Sequence, residues 1–422
     1  MPRVLNAYLA LAILAAPTLA RAESSTLPVI SFASADEGRA VLTARDDFVT
    51  RLSPFDRAAR LKTNRDVSEQ EYLAFVSKNV LEWEADEKAV VQSAWAALTP
   101  RLSQFSLPLP KTILFIKTTG AEEGDAEYTR ANAIILPQSA LAASHRANLP
   151  GTIAHELFHV LSRNAPDLRD RLYAVIGFQP CGEIPFPPEL ASRKITNPDA
   201  PKNDHCIRLQ QGQSQIWAIP ILFSTSDRYD PAKGGEFFAY LAFRLLVVQK
   251  TGAQATYDPS KITLLDVNQV QGFYEQVGRN TEYIIHPEEI LADNFSFMMI
   301  GKPNLPSPQI QQKLAATLSL AIQRPAASTT RVPVFEREGV RARLGGFQAV
   351  GARIGLRREM NAPEVEVGLG EFDANGPLAV FQDADMRHAT FLLLARHAVD
   401  QQDALPFLDA HANPKGATIS VH

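Results

Sequence analysis

The chain has 422 residues, 45% of them hydrophobic and 21% charged, with a formal net charge of −4 and two cysteines. This describes a folded globular protein of two or three domains with room for a sizeable core. No basic tract occurs, which excludes nucleic acid as the expected partner.

Residues 1–22 read as a secretory signal: Arg3 opens it, Val4 to Ala20 is apolar, and Ala20-Arg21-Ala22 is a small-x-small cleavage pattern. An uncleaved anchor is the competing reading, because the apolar run is close to the shortest that spans a bilayer. The expectation is an exported protein, periplasmic or secreted, with no membrane span after cleavage. In an oxidising compartment Cys181 and Cys206 are expected to form a disulfide, worth about 3 kcal/mol in the chain-entropy account. A second metal site from Cys181, His205 and Cys206 is the alternative, and it lacks a good fourth ligand.

Residues 23–110 are expected to form an N-terminal helical region. From Val67 to Leu102 apolar residues recur at helical spacing, and Pro108 and Pro110 close the stretch. A core follows over 111–323. Thr112 to Thr119 reads as a buried strand, and a polar turn, Gly120 to Asp125, leads to a second strand through Ala131 to Leu136. Next comes Gly151 to Arg163, with apolar flanks and a start at Gly151 or Thr152 after Pro150, which predicts a buried helix. The proline-rich run Phe178 to Ile207 reads as a rigid rim on a cleft. Gln215 to Ser224 and Phe237 to Gln249 are expected as strands around a turn at Asp227 to Gly235, although Phe237 to Val248 fits a buried helix equally well. Leu264 to Val277 reads as a short helical stretch. Helices are predicted again at His286 to Phe295, with Pro287 in the first turn, and at Ser307 to Ile322. From Arg324 a linker-like stretch leads into 330–422, where short apolar runs between Gly, Asn and Asp turns predict a small β-rich domain.

The chemistry is concentrated in His155-Glu156-Leu-Phe-His159. Residues four apart on a helix share one face, so the two imidazoles can bind one Zn²⁺ from the same side. Glu156 is then placed to act on a water without ligating the metal. A third ligand is required. The long metzincin pattern fails, because Ala165 stands where its third histidine should be and Ser162 where its glycine should be. Glu289 is the best candidate, with Asp293 four residues on to orient a ligating histidine; Glu236 is the alternative. Glu82 and Asp86 repeat the spacing in a charged, solvated setting. Glu288, beside Glu289, is expected to be nearly silent when replaced. Tyr283 or His286, just upstream, could face the metal and stabilise an oxyanion.

His155-Glu156-x-x-His159 followed by Glu289-Ile-Leu-Ala-Asp293 resembles the gluzincin metallopeptidases, in particular the Glu-x-x-Ala-Asp form of several bacterial branches. The likeness runs from about Thr112 to Leu320 and is strong only at the two motifs. It implies an α+β fold: a zincin-like metallopeptidase domain, followed here by the small β-rich C-terminal domain. It also implies Zn²⁺ as cofactor, His155, His159 and Glu289 as ligands, Glu156 as general base, and a peptide or protein substrate. In this class the strand before the zinc helix often borders the cleft as a sheet edge that can bind an extended peptide, a role expected of Tyr128 to Pro137. A zinc amidase acting on a non-peptide amide, or a silent peptide-binding protein on the same fold, are the alternative readings.

Overall fold

The computed structural model describes residues 27–323 and, beyond them, short strands between Val334 and Val421. The expected signal and the linker-like stretch lie outside the described residues. The chain divides into two compact units, Met1–Ile322 and Gln323–His422.

In the first unit, β1 (Val29–Phe32) pairs in parallel with β3 (Thr112–Thr118), and the short β2 (Val80–Leu81) pairs with the far end of β3. On the other side β3 pairs in parallel with β5 (Ala133–Pro137), and β4 (Tyr128–Arg130) folds back antiparallel to form the edge. Residues 27–110 are therefore not a separate helical body, since two of their segments are strands of this sheet. Only β4 is an edge. β5 has partners on both sides and is buried throughout, so the edge expected over Tyr128 to Pro137 shrinks to its first three residues.

Both faces of the sheet are covered, which explains its near-continuous apolar strands. Ile134 and Leu136 face one core cluster and Ala133 and Ile135 the other. Helices α1 (Ala35–Leu42), α2 (Pro54–Arg60) and α3 (Glu69–Lys78) start at serines. Ser34, Ser53 and Ser68 each accept the backbone N–H three residues on, satisfying donors a helix leaves free at its start. Glu82, whose spacing to Asp86 imitates the ligand motif, instead accepts the Ala35 N–H at the head of α1.

The larger core cluster joins α4 (Ala85–Leu102), α5 (Leu149–Asn164) and, further on, α8 (Pro287–Ile300). α5 begins at Leu149, two residues earlier than expected, because Pro150 fits the first turn rather than preceding it. Phe158 of α5 meets Phe295 of α8 with ring centroids 5.7 Å apart, and the Ser296 hydroxyl donates to the Gly151 carbonyl at 2.7 Å. These contacts hold the two motif-bearing helices face to face.

After α6 (Pro166–Val175) comes an antiparallel sheet in the order β10-β9-β8-β7-β6. Its strands are β6 (Phe178–Pro180), β7 (His205–Gln211), β8 (Ser214–Ser224), β9 (Leu241–Thr251) and β10 (Gln254–Thr256). The ambiguous run at Phe237 is a 3-10 turn, Phe237–Tyr240, leading into β9. Pairing with β8 along eight residues decided what apolar periodicity could not. Of the stretch expected to be helical from Leu264, β11 (Leu264–Leu265) pairs with β9 and only α7 (Phe273–Val277) is α-helical. α9 (Pro308–Gln323) ends the described part of this unit.

In the second unit, Val334–Arg337 pairs with Val340–Arg343. Ile354–Arg358 and Ala410–His411 flank Ala417–Val421, while Val367–Leu369 and Thr390–Leu394 flank Leu378–Asp383. All these pairings are antiparallel. The chain is thus a mixed α+β protein. Among the described residues no helix is long and apolar enough to cross a membrane.

Candidate metal centre

His155 and His159 lie one turn apart on α5, and Glu289 faces them from the first turn of α8. Glu289 Oε2 stands 3.1 Å from His155 Nε2 and 3.6 Å from His159 Nε2. Each ring turns its other nitrogen to a carboxylate of α8: His155 Nδ1 is 2.9 Å from Asp293 Oδ1, and His159 Nδ1 is 3.0 Å from Glu288 Oε1. An ionised carboxylate only accepts, so each Nδ1 carries a proton, and Nε2 of both rings is the nitrogen left turned toward Glu289.

The outer partners are themselves held. Asp293 accepts from the Thr281 hydroxyl. Glu288 accepts from Ser162 Oγ at 2.7 Å and from the Tyr173 hydroxyl. Burial, then the charge of Glu288, drives the Tyr173 pKa well above its ordinary value, keeping it a donor. Glu288 is therefore no silent neighbour. Adjacent helical residues point about 100° apart, and the two-histidine face is broad enough to use both: Glu289 meets the converging nitrogens while Glu288 grips His159 from behind.

Three buried side-chain atoms among the described residues lack any hydrogen-bond partner, and two of them, His159 Nε2 and Glu156 Oε2, belong to this cluster. An unpaired buried polar atom costs about 1–3 kcal/mol. The arrangement fits a divalent metal held by His155, His159 and Glu289, which would satisfy the imidazole lone pair. Two imidazoles and one carboxylate form a donor set suited to zinc that leaves a coordination position open.

The charges in the cluster act on one another. Burial opposes the ionised form of Glu289, but the two histidines and a 2.5 Å hydrogen bond from Asn197 Nδ2 bring its pKa down to about 2. Burial opposes protonation of His159 too, yet Asp199, Glu289 and the bond to Glu288 lift it to about 9. Glu156 moves the other way from Glu289: burial, and then the charge of Asp199, raise it to about 8.

Asn197 and Asp199 were not legible in the sequence. They come from the proline-rich segment expected to form a rim. Asp199 has a carboxylate oxygen within 4.8 Å of ligating atoms of both His159 and Glu289. Only the expectation that this segment borders a cleft pointed toward them.

The other residues singled out above fall as follows. The Tyr283 ring stacks on His155 at 6.4 Å and 26°, and it is 41% exposed, so it covers the outer side of the cluster. His286 does not face the metal position; its side chain caps α8 by accepting the Glu288 N–H at 3.1 Å. Glu236 pairs with Lys62 at 2.6 Å. Cys181 and Cys206 are both buried and lie close together, each as a free thiol in this structure. Each thiol acts on its neighbour, raising the Cys181 pKa and lowering that of Cys206. The segment between them is closed by the pairing of β6 with β7. His205 contacts Asp204 at 2.6 Å and Asp170 at 3.2 Å, so its two nitrogens are committed to carboxylates rather than to a site with the cysteines.

The fold and cluster define an α+β protein with two histidines and several carboxylates converging on one point. Comparison with family models, with curated proteins and with solved structures finds no match for this chain.

Proposed function

We propose that this is an exported zinc metallopeptidase of the gluzincin type, with a zincin-like catalytic domain, hydrolysing peptide bonds. One observation carries the reading more than any other. Glu289 Oε2 lies 3.1 Å from His155 Nε2 and 3.6 Å from His159 Nε2 while both Nδ1 atoms are tied to carboxylates, and Glu156 Oε2 lies buried and unpaired in the same cluster.

When bound, zinc would polarise a scissile carbonyl and lower the pKa of water toward neutrality. Asp293 and Glu288 keep the two rings in the tautomer that turns Nε2 inward, and Asn197 holds Glu289 through its other oxygen. Glu156 is the proton carrier. Glu156 Oε2, buried and without a hydrogen-bond partner, is the atom that would take a proton from an attacking water and give it to the leaving amine. Tyr283, over His155 and partly open to solvent, borders the approach to the scissile bond.

Metal analysis of the purified protein, followed by incubation with a mixed peptide library, tests the reading. It expects one tightly held zinc per chain, and peptide cleavage that stops with chelator and returns with zinc. His159→Ala should lose both metal and cleavage. Full zinc occupancy in that variant would place the metal elsewhere. Activity on small amides without any on peptides would replace the peptidase by an amidase.

A further inference from the structure

An extended peptide aligns with a sheet edge through the outward-facing backbone groups of the edge strand. On β4 that outward donor is the Thr129 N–H, and it is already taken. Asp199 Oδ1 accepts it at 2.8 Å and accepts the Thr129 hydroxyl at 2.5 Å. The same carboxylate reaches the neighbourhood of His159 and Glu289. Asp199 thus occupies the outward N–H of β4, a strand buried over all three of its residues, at the point where it meets the cluster.

The turn bearing Asp199 is firmly seated. The Asp199 N–H bonds Asn197 Oδ1 at 2.9 Å, and Asn197 in turn donates to Glu289. Just before it, Thr196 gives both its N–H and its hydroxyl to buried Asp56, and the same hydroxyl contacts the Arg51 carbonyl at 3.0 Å. Ile195 N–H donates to the Leu222 carbonyl of β8 at 3.0 Å. Buried bonds of this number are not released by a loosely bound substrate. A peptide lying toward the cluster therefore has to begin there instead of running past it.

Charge decides which end of the peptide arrives. Asp199 and Glu289 both lie beside His159, and Arg163 next to them is committed to the Ala131 carbonyl at 2.9 Å, the Thr129 hydroxyl at 2.9 Å and the Asp199 carbonyl at 3.4 Å. A terminal ammonium arriving beside Asp199 would meet a matching carboxylate.

We propose that Asp199 is the specificity-determining residue of this site: it blocks the β4 side and binds the free α-ammonium of a peptide, making the protein an aminopeptidase that removes single residues from amino termini. The proposal rests on the metallopeptidase reading.

Two arms test it. In the first, zinc-loaded protein is given a random-sequence peptide library, half of it N-acetylated, and the products are read by mass spectrometry. Loss of one N-terminal residue from the free-amine half alone is expected; internal cuts, or equal cleavage of acetylated peptides, overturn the proposal. The second arm uses Glu156→Gln protein and calorimetric binding of a free-amine peptide and its acetylated form. The free amine should bind about 10–100-fold tighter, the usual worth of a charge-assisted hydrogen bond. Asp199→Asn on that background, which keeps an acceptor for Thr129, should reduce the ratio to near unity with zinc content and melting temperature unchanged. An unchanged ratio overturns the proposal, and so does loss of zinc, which would make Asp199 a metal ligand. Zinc-loaded protein that cuts no peptide sinks the peptidase reading, while the binding arm still decides the ammonium site.

Discussion

The two histidines occupy one helix and one cluster, yet their surroundings differ. His159 has a fully buried side chain, and its carboxylate partner Glu288 is 2% exposed and held by two further hydroxyl donors. His155 is 17% exposed, its partner Asp293 is 22% exposed with one hydroxyl donor, and Tyr283 lies over it on the solvent side. The difference separates two jobs within one cluster. The His159 side is a rigid buttress, where every lost partner leaves a donor stranded away from water. The His155 side is where water can repair a loss, and on the proposed function it is the side open to a substrate.

The largest effect that follows is at Glu288. Glu288→Ala strands His159 Nδ1, Ser162 and Tyr173 in the interior, and should cost about 3–5 kcal/mol in denaturant-unfolding stability. Metal affinity should fall about 10–100-fold or more. Asp293→Ala, on the open side, should cost about 1 kcal/mol in stability and sit at the mild end of that affinity range. Equal effects at the two positions would erase the distinction between the buried and the open half.

The buttress also has a pH signature. His286 caps α8 by accepting the Glu288 N–H through Nδ1, which requires the neutral ring. Glu288, Asp204, Glu289 and His205 all act on it, but burial dominates and holds its pKa down to about 4. An unfolded histidine binds its proton near pH 6.5, so between those values the unfolded state takes up the proton and the folded state does not. This contribution is complete above about pH 6.5 and is lost as pH falls toward 4, by up to about 3 kcal/mol. His286→Asn keeps a capping acceptor and removes the titration. Its stability relative to the natural protein should therefore improve steadily from pH 7 to pH 4. A constant difference across that range would show that the ring is not held neutral.

Glu156 tests whether chemistry and metal retention are separable in this cluster. Glu156→Gln should keep zinc and substrate binding and lower kcat at least about 100-fold. Loss of zinc in that variant would make Glu156 a ligand instead of the proton carrier.

The smallest effect belongs to the open side. Tyr283→Phe should leave stability and zinc content within about 0.5 kcal/mol of the natural protein. A fall in kcat of about 10²–10³ with metal retained would identify the hydroxyl as the oxyanion donor.

What the sequence determined by itself is local. Four-residue spacing puts His155 and His159 on one face because helical rotation is a property of the backbone, independent of context. The same geometry linked Glu289 to Asp293, and Pro287 marked the first turn of the helix that carries them. Strand positions for Thr112 to Thr118 and Ser214 to Ser224 were legible as apolar runs between turns, whereas Phe237 to Val248 stayed ambiguous until pairing with β8 settled it. Only the tertiary structure decided which α8 carboxylate meets which imidazole nitrogen, since that depends on the packing of α5 against α8. It alone showed that the pairing of β6 with β7 closes the segment between Cys181 and Cys206. Asn197 and Asp199 lay furthest from sequence reasoning. Their place comes from a turn bonded to Asp56, Arg51 and Leu222, partners far away along the chain and recorded in no local pattern.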